Sequence, residues 1–281
     1  MRVRYLFSSR RTGQIQGGNK HRQPFPHIVR EVVRTSDIIL EILDARFVEK
    51  TRNKELEKYI LDQGKKIIFV LNKSDLINLS ELRKNVDLSE LHPFVLFSCK
   101  SKIGRRNLRQ RIKIEVKKLK LDIKARIGVV GYPNTGKSSL INLLAGRKVA
   151  PIAAEAGFTK GMQKIRFNKD IVILDTPGII PDDESLERKK SEVKKHAEIG
   201  VRTYDKVKEP DFIFSKMMEE NPGLFEKFYN IDSEGDSELF LEKLGRKMNL
   251  ITKGNKVDVD RTARWIIKDW QEGKIKIHNN Q

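Results

Sequence analysis

The sequence contains one cysteine, Cys99, among its 281 residues. A single cysteine cannot form an internal disulfide and cannot build a zinc site with several cysteine ligands. No apolar run approaches the roughly 18 residues of a membrane span, and the basic N-terminus lacks the apolar segment of a signal peptide. We therefore exclude a disulfide scaffold and a structural zinc finger, and we expect a cytoplasmic protein with no membrane partner.

Acidic residues are also scarce, with 38 Asp and Glu against 57 Lys and Arg, so the formal net charge is +19. A folded protein with this balance typically binds a polyanion, most often a nucleic acid. The alternative is a lysine-rich surface that serves solubility alone. Hydrophobic residues make up 38% of the chain, which is enough for a substantial core. Residues 1 to 24 carry no acid, and we interpret them as a loose basic arm.

One stretch, Gly131 to Ser139, has the sequence GYPNTGKSS and follows an apolar run that is typical of a buried strand. Its spacing fits the phosphate-binding pattern G-x-x-x-x-G-K-S, and apolar residues at helical spacing follow it. Glycines let successive backbone N–H groups turn toward an oligophosphate, and the dipole of the following helix adds positive charge. A plain turn is the alternative, but the flanking strand and helix favour a phosphate loop.

The residue types predict roles within this loop. Lys137 would reach the β and γ phosphates, Ser138 would bind Mg²⁺ and Ser139 would contact the α phosphate. We also predict nucleotide contacts for the three residues before the lysine, which are Asn134, Thr135 and Gly136.

A second polar stretch, Asn72-Lys73-Ser74-Asp75, ends the apolar run of residues 66 to 71. Ligands of open α/β sheets bind at the carboxyl ends of strands, which favours a nucleotide contact over a capping turn. The Asp75 carboxylate would accept hydrogen bonds from N1–H and the 2-amino group of guanine, which adenine does not offer. Asn72 would help at the N7 and O6 edge, and the stem of Lys73 would cover the ring. An unpaired buried carboxylate is costly, so such a site rejects the wrong base.

The triplet Ser98-Cys99-Lys100 follows another predicted strand, residues 93 to 97, and has the form of a base-contacting loop. The backbone N–H of Cys99 would meet guanine O6, and the stem of Lys100 would pack on the base. A small residue is required at position 99 in this interpretation. Cys99 is equally consistent with a small buried hydrophobic residue, and both descriptions can hold together.

Three further residues are candidates for sensing the γ phosphate and its metal ion. Asp175 ends the apolar run 171 to 174 and would hold Mg²⁺ through water, while the Gly178 N–H would bond the γ phosphate. Thr159, in a stretch with few structural signals, is the candidate second Mg²⁺ ligand. An ordinary loop threonine is the alternative at that position.

Together these motifs resemble those of translation-factor-class GTPases, but the base-reading motifs precede the phosphate loop. That order is similar to the circularly permuted GTPases of the YlqF/YawG type, as is Asp44-Ala45-Arg46. The resemblance implies an α/β fold: a permuted P-loop GTPase domain over residues 25 to 181, followed by a smaller helical domain over residues 182 to 281 that binds RNA or the ribosome. It also implies GTP and GDP as ligands and a role in assembling the large ribosomal subunit on rRNA, with no DNA partner.

Hydrolysis in many GTPases requires a glutamine that orients water, but the position after Gly178 holds Ile179. We therefore expect a GTPase that is slow alone and is stimulated by the ribosome. The resemblance also implies that Asn134 helps to hold K⁺ beside the phosphates, with a turn-favouring residue as the alternative. The catalytic candidates are Lys137, Asn134, Thr159 and Gly178.

Two other functions stay open at this point. One is an RNA-binding scaffold whose nucleotide is structural. The other is a GTPase that acts in tRNA modification or membrane transport, which the absence of further catalytic motifs and of membrane spans disfavours.

The remaining sequence predicts helices. Residues 104 to 120 show an amphipathic pattern with many cations, and such charge runs are usually solvated faces. Asp258 is a candidate helix N-cap, and Gly273 is a candidate stop. The buried face of the helix between them is predicted to contain Val259, Ala263, Ile266, Ile267 and Trp270. Trp265 and Trp270 could stack on bases, but their helical spacing favours the core.

Overall fold

The computed structural model describes residues 27–121, 123–146, 163–175, 199–200 and 204–275. The strands of its main sheet are β1 Ile38–Asp44, β2 Lys66–Asn72, β3 Phe94–Leu96, β4 Ala125–Gly131, β5 Gln163–Arg166 and β6 Ile171–Asp175. They lie in the order β3-β2-β1-β4-β6-β5, and only β5 is antiparallel to its neighbour. A separate hairpin pairs β7 Ile251–Thr252 with β8 Lys256–Val257.

The helices of the described residues are α1 His27–Thr35, α2 Val48–Thr51, α3 Lys54–Asp62, α4 Leu79–Asn85, α5 Arg105–Lys118, α6 Lys137–Ala145, α7 Pro210–Glu220, α8 Leu224–Tyr229, α9 Ser237–Lys247 and α10 Val259–Gln271. None of these helices has both the length and the apolar character needed to cross a membrane. Alternating strands and helices with a mostly parallel sheet confirm the predicted α/β class.

Strand β1 lies inside the sheet, and all seven of its residues are buried. Ile38, Leu40 and Ile42 belong to the hydrophobic core on one face of the sheet, and Ile39 and Leu43 belong to the core on the other face. Glu41 and Asp44 are the buried polar residues of β1. Successive side chains of a strand point to opposite faces, so the rest of a strand covered on both faces is apolar. This explains why the sheet strands read as continuous apolar runs.

The strand order reverses between the neighbouring strands β1 and β4. The chain leaves β1 toward β2 and β3, and it leaves β4 toward β6. Open α/β sheets have a crevice at such a point, outside the carboxyl ends of the strands. Asn72 ends β2, Gly131 ends β4 and Asp175 ends β6. The sheet thus places the predicted motifs at one edge, although their order along the chain is changed.

The core of residues 204–275, called the helical unit below, contains a cluster of packed aromatic side chains among aliphatic ones. Trp270 packs against Phe47 and Phe225, with ring centroids 6.0 and 5.7 Å apart. Phe225 in turn meets Phe214 edge-on at 5.3 Å. Because Phe47 follows β1 in sequence, this core joins the helical unit to the sheet.

The structure confirms part of what was predicted for the C-terminal helix. The Asp258 carboxylate caps α10 by accepting a hydrogen bond from the Arg261 N–H at 2.9 Å. Trp270 is 2% exposed and Trp265 is 39% exposed, so one of the two tryptophans is a core residue. The prediction that Val259 is buried is wrong: it is 40% exposed, because it is the first residue of the helix and lies beyond the packed face.

The hairpin β7–β8 also departs from the sequence prediction, which expected mostly helix after residue 184. Gly254 and Asn255 adopt φ angles of 95° and 59°, and this left-handed pair turns the chain back on itself. The helix predicted over residues 104 to 120 is confirmed as α5. The basic arm and the predicted boundary between residues 181 and 182 lie outside the described residues.

Replacing Trp270 with alanine should lower the free energy of unfolding by about 3–5 kcal/mol, because the loss of a large buried ring leaves a cavity. Trp265→Ala is the matched control, and it should change that free energy by about 0.5 kcal/mol or less, because its side chain is more exposed. Urea denaturation followed by circular dichroism measures both. Equal losses in the two variants would contradict the assignment of Trp270 to the core.

Candidate nucleotide-binding site

Two glycines of the phosphate loop lie where a side chain would not fit. Gly131 has a φ angle of 145°, and a Cβ there would lie 2.5 Å from the Ile42 carbonyl oxygen. Gly136 has a φ angle of 97°, and a Cβ there would lie 2.2 Å from Asn72 Nδ2. Both positions need glycine for the backbone conformation and for the close approach. The loop is therefore held directly against the ends of β1 and β2.

The phosphate loop leads into α6, whose N-terminus has no side-chain cap. Free N–H groups at a helix N-terminus attract anions, and the helix dipole adds to that attraction. The buried ammonium group of Lys137 donates to the carbonyl oxygens of Gly131 at 3.0 Å and Tyr132 at 2.8 Å. Ser138 and Ser139, both half-buried, follow in the same turn. Backbone, hydroxyl and ammonium donors thus converge at one place, which suits a polyphosphate.

The Asn72 side chain joins three loops, and the sequence alone does not show which partners it has. Its Nδ2 donates to the Thr135 carbonyl oxygen at 2.7 Å, and its Oδ1 accepts from the Cys99 N–H at 3.2 Å. Asn72 and Thr135 are buried, so both bonds are shielded from competing water. The Cys99 N–H, predicted to meet guanine O6, therefore has a protein partner here. The predicted base contacts of Asn72 and Cys99 stay predictions.

The other predicted base-contacting residues surround the same edge. Ser98 is fully buried, and its Oγ accepts a hydrogen bond from the Ser101 N–H at 3.0 Å, so it shapes its own loop. Cys99 is partly buried against the sheet core, and burial raises the pKa of its thiol to about 11. Lys100 is exposed, and Asp75 is half-buried in a short 3₁₀ turn. Asp75 and Lys100 are thus accessible to a ligand.

A buried ion cluster lies at the ends of β1 and β2. The Asp44 Oδ2 atom is 2.7 Å from Lys73 Nζ and 2.8 Å from Arg46 Nη2. The Asp44 Oδ1 atom accepts from both the backbone N–H and Nε of Arg46, at 3.1 Å each. Burial by itself would raise the pKa of Asp44, but Arg46 and Lys73 outweigh it and hold that pKa well below its usual range. With its ammonium group held by Asp44, Lys73 offers its aliphatic stem for the predicted contact with a base.

Residues that follow the last strand of the main sheet, β6, contact the site at three points. Arg46 Nη1 donates to the Trp270 carbonyl oxygen at 3.2 Å, near the end of α10. The side-chain amide of Asn134, in the phosphate loop, donates to the Gly200 carbonyl oxygen. The buried Tyr132 side chain belongs to the core of the helical unit. Both the ion cluster and the phosphate loop are therefore in direct contact with the C-terminal part of the chain.

The predicted metal and γ-phosphate ligands are described only in part. Thr159, Gly178 and Ile179 lie outside the described residues. Asp175 ends β6 and pairs in register with Val129 of β4. Strand β4 lies between β6 and β1 in the sheet. Within the described ranges, no group of three or more His, Cys, Asp or Glu side chains is arranged to hold a metal ion.

Known proteins share this fold. The family model described as 50S ribosome-binding GTPase matches residues 126–226. GNP-bound YlqF from T. maritima superposes with a TM-score of 0.59 and 25% identity, covering 88% of this chain and 92% of that chain. A GTP-binding protein of Methanocaldococcus jannaschii is 37% identical over a 261-residue alignment that covers 91% of this chain and 67% of the relative. The chain belongs to the YlqF-type family of circularly permuted GTPases.

Other relatives of this YlqF-type chain are longer. Nucleolar GTP-binding protein 2 from Neurospora crassa is 34% identical over a 252-residue alignment that covers 87% of this chain and 40% of the relative. A nuclear GTP-binding protein of Saccharomyces cerevisiae is 30% identical over 292 residues, covering 91% of this chain and 56% of the relative. The chain thus spans about half the length of these eukaryotic relatives. The cytoplasmic location expected for this YlqF-type protein stays a prediction.

Replacing Asp44 with asparagine should destabilise the protein by about 3–5 kcal/mol at pH 7, because Arg46 and Lys73 lose their buried counter-charge. The depressed pKa of Asp44 makes its contribution fully present above the unfolded-state pKa of about 3.9, and the contribution is lost as pH falls toward the folded-state pKa. The gap in unfolding free energy between wild type and variant should therefore shrink below about pH 4. Urea denaturation from neutral to acidic pH measures it.

The matched control for this prediction is Asp62→Asn, which removes an exposed carboxylate at the end of α3. It should leave the free energy of unfolding nearly unchanged at every pH. A gap between wild type and Asp44→Asn that is constant from neutral to acidic pH would contradict the assigned ionisation of Asp44.

Proposed function

We propose that this protein binds and hydrolyses GTP and acts as an assembly factor for the ribosome, in particular its large subunit, binding rRNA in a nucleotide-dependent way. The observation that carries the proposal is the Asn72 bridge, which joins the phosphate loop to both predicted base-reading loops at one edge of the sheet. The match to 50S ribosome-binding GTPases supports the ribosomal partner. YlqF structures titled as GNP-bound and GDP-bound support the ligand.

Guanine is selected in this proposal by the half-buried carboxylate of Asp75, which accepts from N1–H and the 2-amino group. The stems of Lys73 and Lys100 cover the two faces of the ring, and Cys99 leaves room for O6. Lys73 is prepared for this role, because Asp44 holds its ammonium group at 2.7 Å and so limits the freedom of the stem. Pre-ordering a side chain in this way lowers the entropy lost on binding.

The phosphates lie along the loop from Thr135 to Ser139 in this proposal. The Lys137 ammonium, now bonded to two carbonyl oxygens, exchanges them for oxygens of the β and γ phosphates. Ser139 contacts the α phosphate. Ser138 fits Mg²⁺ because its hydroxyl lies in the first turn of the uncapped helix, with Thr159 and Asp175 as the further predicted ligands. When bound, Mg²⁺ supplies neutralisation of the charge on the phosphate oxygens.

In hydrolysis, water attacks the γ phosphorus, its bond to the β–γ bridging oxygen breaks, and GDP and phosphate are released. Lys137 and the Gly178 N–H stabilise the negative charge that develops on the phosphate oxygens. Ile179 cannot orient the water, so turnover should be slow without the ribosome. K⁺ held with the help of Asn134 would add positive charge beside the phosphates, and comparing turnover in K⁺ and Na⁺ salts tests that ion's role.

Two contacts support a link between nucleotide state and the C-terminal part of the chain. Asn134 connects the phosphate loop to Gly200, and Arg46 connects the Asp44–Lys73 pair to the Trp270 carbonyl oxygen. A nucleotide that moves the phosphate loop or Lys73 would alter one of these bonds. Binding of rRNA and of GTP would then be coupled, and thermodynamic linkage makes the coupling reciprocal.

Asp75→Asn should weaken GTP binding and strengthen XTP binding, because xanthine carries a carbonyl where guanine carries its 2-amino group. The loss for GTP should be at least about 100-fold, since a lost charged hydrogen-bond pair costs roughly 3 kcal/mol. Fluorescent-nucleotide titration measures both affinities. Asp62→Asn serves again as the control and should bind GTP as wild type does. Unchanged GTP affinity in Asp75→Asn would refute this base-selecting role.

Sedimentation with purified ribosomal subunits tests the proposed function as a whole. The protein should sediment with the large subunit, and more of it should do so with a non-hydrolysable GTP analogue than with GDP. Turnover of GTP should rise when large subunits are added. Equal sedimentation with GDP, with GTP analogue and without nucleotide, together with no turnover, would favour the scaffold in which the nucleotide is structural.

A further inference from the structure

The positive charge of the chain is unevenly distributed among the described segments. Residues 105–120 contain eight Lys and Arg and one acid, Glu115, and so carry a net charge of +7. The helical unit, residues 204–275, contains 13 Lys and Arg against 15 Asp and Glu, and so carries a net charge of −2. The region predicted to bind RNA is therefore slightly acidic in its described part, whereas α5 of the GTPase domain is strongly basic.

Three cations of α5 and one glutamine form a stripe on its solvent side. Arg106, Gln110, Lys113 and Lys117 recur at spacings of four, three and four residues, which places them on one helix face. All four are exposed, while Leu108 and Ile112 on the opposite face are buried in the sheet core. At 1.5 Å per residue the stripe is about 16 Å long. This length allows contact with several phosphates of one strand.

Among the described residues, no acid neutralises the three cations of the stripe. The Glu115 carboxylate is shared by Lys66, Lys118 and Arg111, at 2.6, 3.1 and 3.5 Å. Across the described ranges, Arg106, Lys113 and Lys117 have no acidic partner in salt-bridge range. Lysines paired with carboxylates on a surface are common and contribute little, whereas a row of cations without acidic partners attracts a polyanion.

A cavity of about 360 Å³ lies at the start of the stripe, lined by Arg105, Arg106, Arg109, Gln110 and Lys113. Arg109 is fixed there, because its Nη1 donates to the Leu144 carbonyl oxygen at 2.6 Å and its guanidinium lies 4.5 Å from the Phe167 ring centre. The buried Nε of Arg105 has no acceptor among the described atoms. A concave site lined by four cations is suited to a phosphate group, which arginine binds in a two-pronged manner.

We propose that the exposed face of α5 docks the phosphate backbone of RNA. The identity of that RNA as ribosomal rests on the function proposed above, but the choice of RNA rests on the charge and shape of α5. A membrane surface fits less well, since an interfacial helix must insert its apolar face into lipid. In α5 that face, with Leu108 and Ile112, is already buried in the protein core.

The test removes three charges of the stripe with Arg106→Gln, Lys113→Gln and Lys117→Gln in the full-length protein. Binding to purified large-subunit rRNA is measured at several KCl concentrations. Binding should weaken by about tenfold or more, and the slope of log affinity against log salt should fall by about 2–3, as expected for three lost phosphate contacts. Affinity for a GTP analogue should not change, because none of the three residues belongs to the nucleotide site.

The matched control removes three exposed lysines of the helical unit, with Lys208→Gln, Lys253→Gln and Lys256→Gln. The control variant loses the same amount of positive charge as the α5 variant, but it loses it outside α5. Its rRNA affinity should therefore stay close to that of wild type. Loss of binding in the control but not in the α5 variant would overturn the proposal and place RNA on the helical unit. Selective loss of binding to anionic vesicles, with rRNA binding intact, would overturn it in favour of a membrane.

Measuring rRNA binding and sedimentation together separates the α5 docking surface from the proposed assembly function. If wild type and α5 variant bind rRNA equally and both sediment with the large subunit, the docking surface is wrong and the assembly role stands. If wild type neither binds rRNA nor sediments with either subunit, both are wrong. Thermal denaturation of each variant should match wild type, because all six substituted side chains are on the surface.

Discussion

The nucleotide site depends on one buried amide. Asn72 uses its nitrogen to hold the phosphate loop through the Thr135 carbonyl and its oxygen to hold the loop of Cys99. Gly136 passes so close that a Cβ there would lie 2.2 Å from the amide nitrogen. A buried hydrogen-bonding group left without its partner is destabilising, so the three loops must be ordered together. This geometry explains why motif order can change while the site remains, since the side-chain bridge does not depend on how the strands are connected.

The ion cluster extends the same constraint toward the C-terminal part of the chain. Asp44 fixes Lys73 on one side and Arg46 on the other, and Arg46 reaches the Trp270 carbonyl oxygen. Tyr132 of the phosphate loop is meanwhile buried in the core of the helical unit. Two of the elements that contact nucleotide in our proposal are therefore packed on the same C-terminal helices. In a packed interior, a shift at one such contact cannot be absorbed without repacking the other, which is how a small ligand can bias a larger unit.

Much of the fold could be predicted from local pattern, because it depends on periodicity. Continuous apolar runs predicted the parallel strands, and the glycine-lysine spacing predicted the turn from β4 into α6. Pairings between distant residues could not be predicted this way: Asn72 and Thr135 are 63 residues apart, and Arg46 and Trp270 are 224 apart. The position of Asn72 and Asp44 at the ends of buried strands was a usable signal, since polar groups there need partners. Val259 and the hairpin β7–β8 were mispredicted because helical spacing says nothing about where packing begins or where a Gly-Asn pair turns the chain.

The charge distribution indicates which element would couple RNA binding to nucleotide binding in our proposals. A net charge of +19 describes the whole chain, but residues 105–120, which contain α5, carry +7 and the helical unit, residues 204–275, carries −2. The start of α5 is tightly joined to the predicted base-reading loop: Ser98 N–H donates to the Ile103 carbonyl oxygen at 3.1 Å, and a Cβ at Gly104 would lie 2.0 Å from the Leu96 carbonyl oxygen. A helix is stiff along its axis, so RNA held on the stripe and guanine held near Ser98 would act on the same rigid element. The helical unit contacts the site from the phosphate loop and Arg46 instead. In our proposals, RNA on the stripe and the C-terminal contacts would therefore act on the nucleotide through different loops, and a bound nucleotide would favour one arrangement of both.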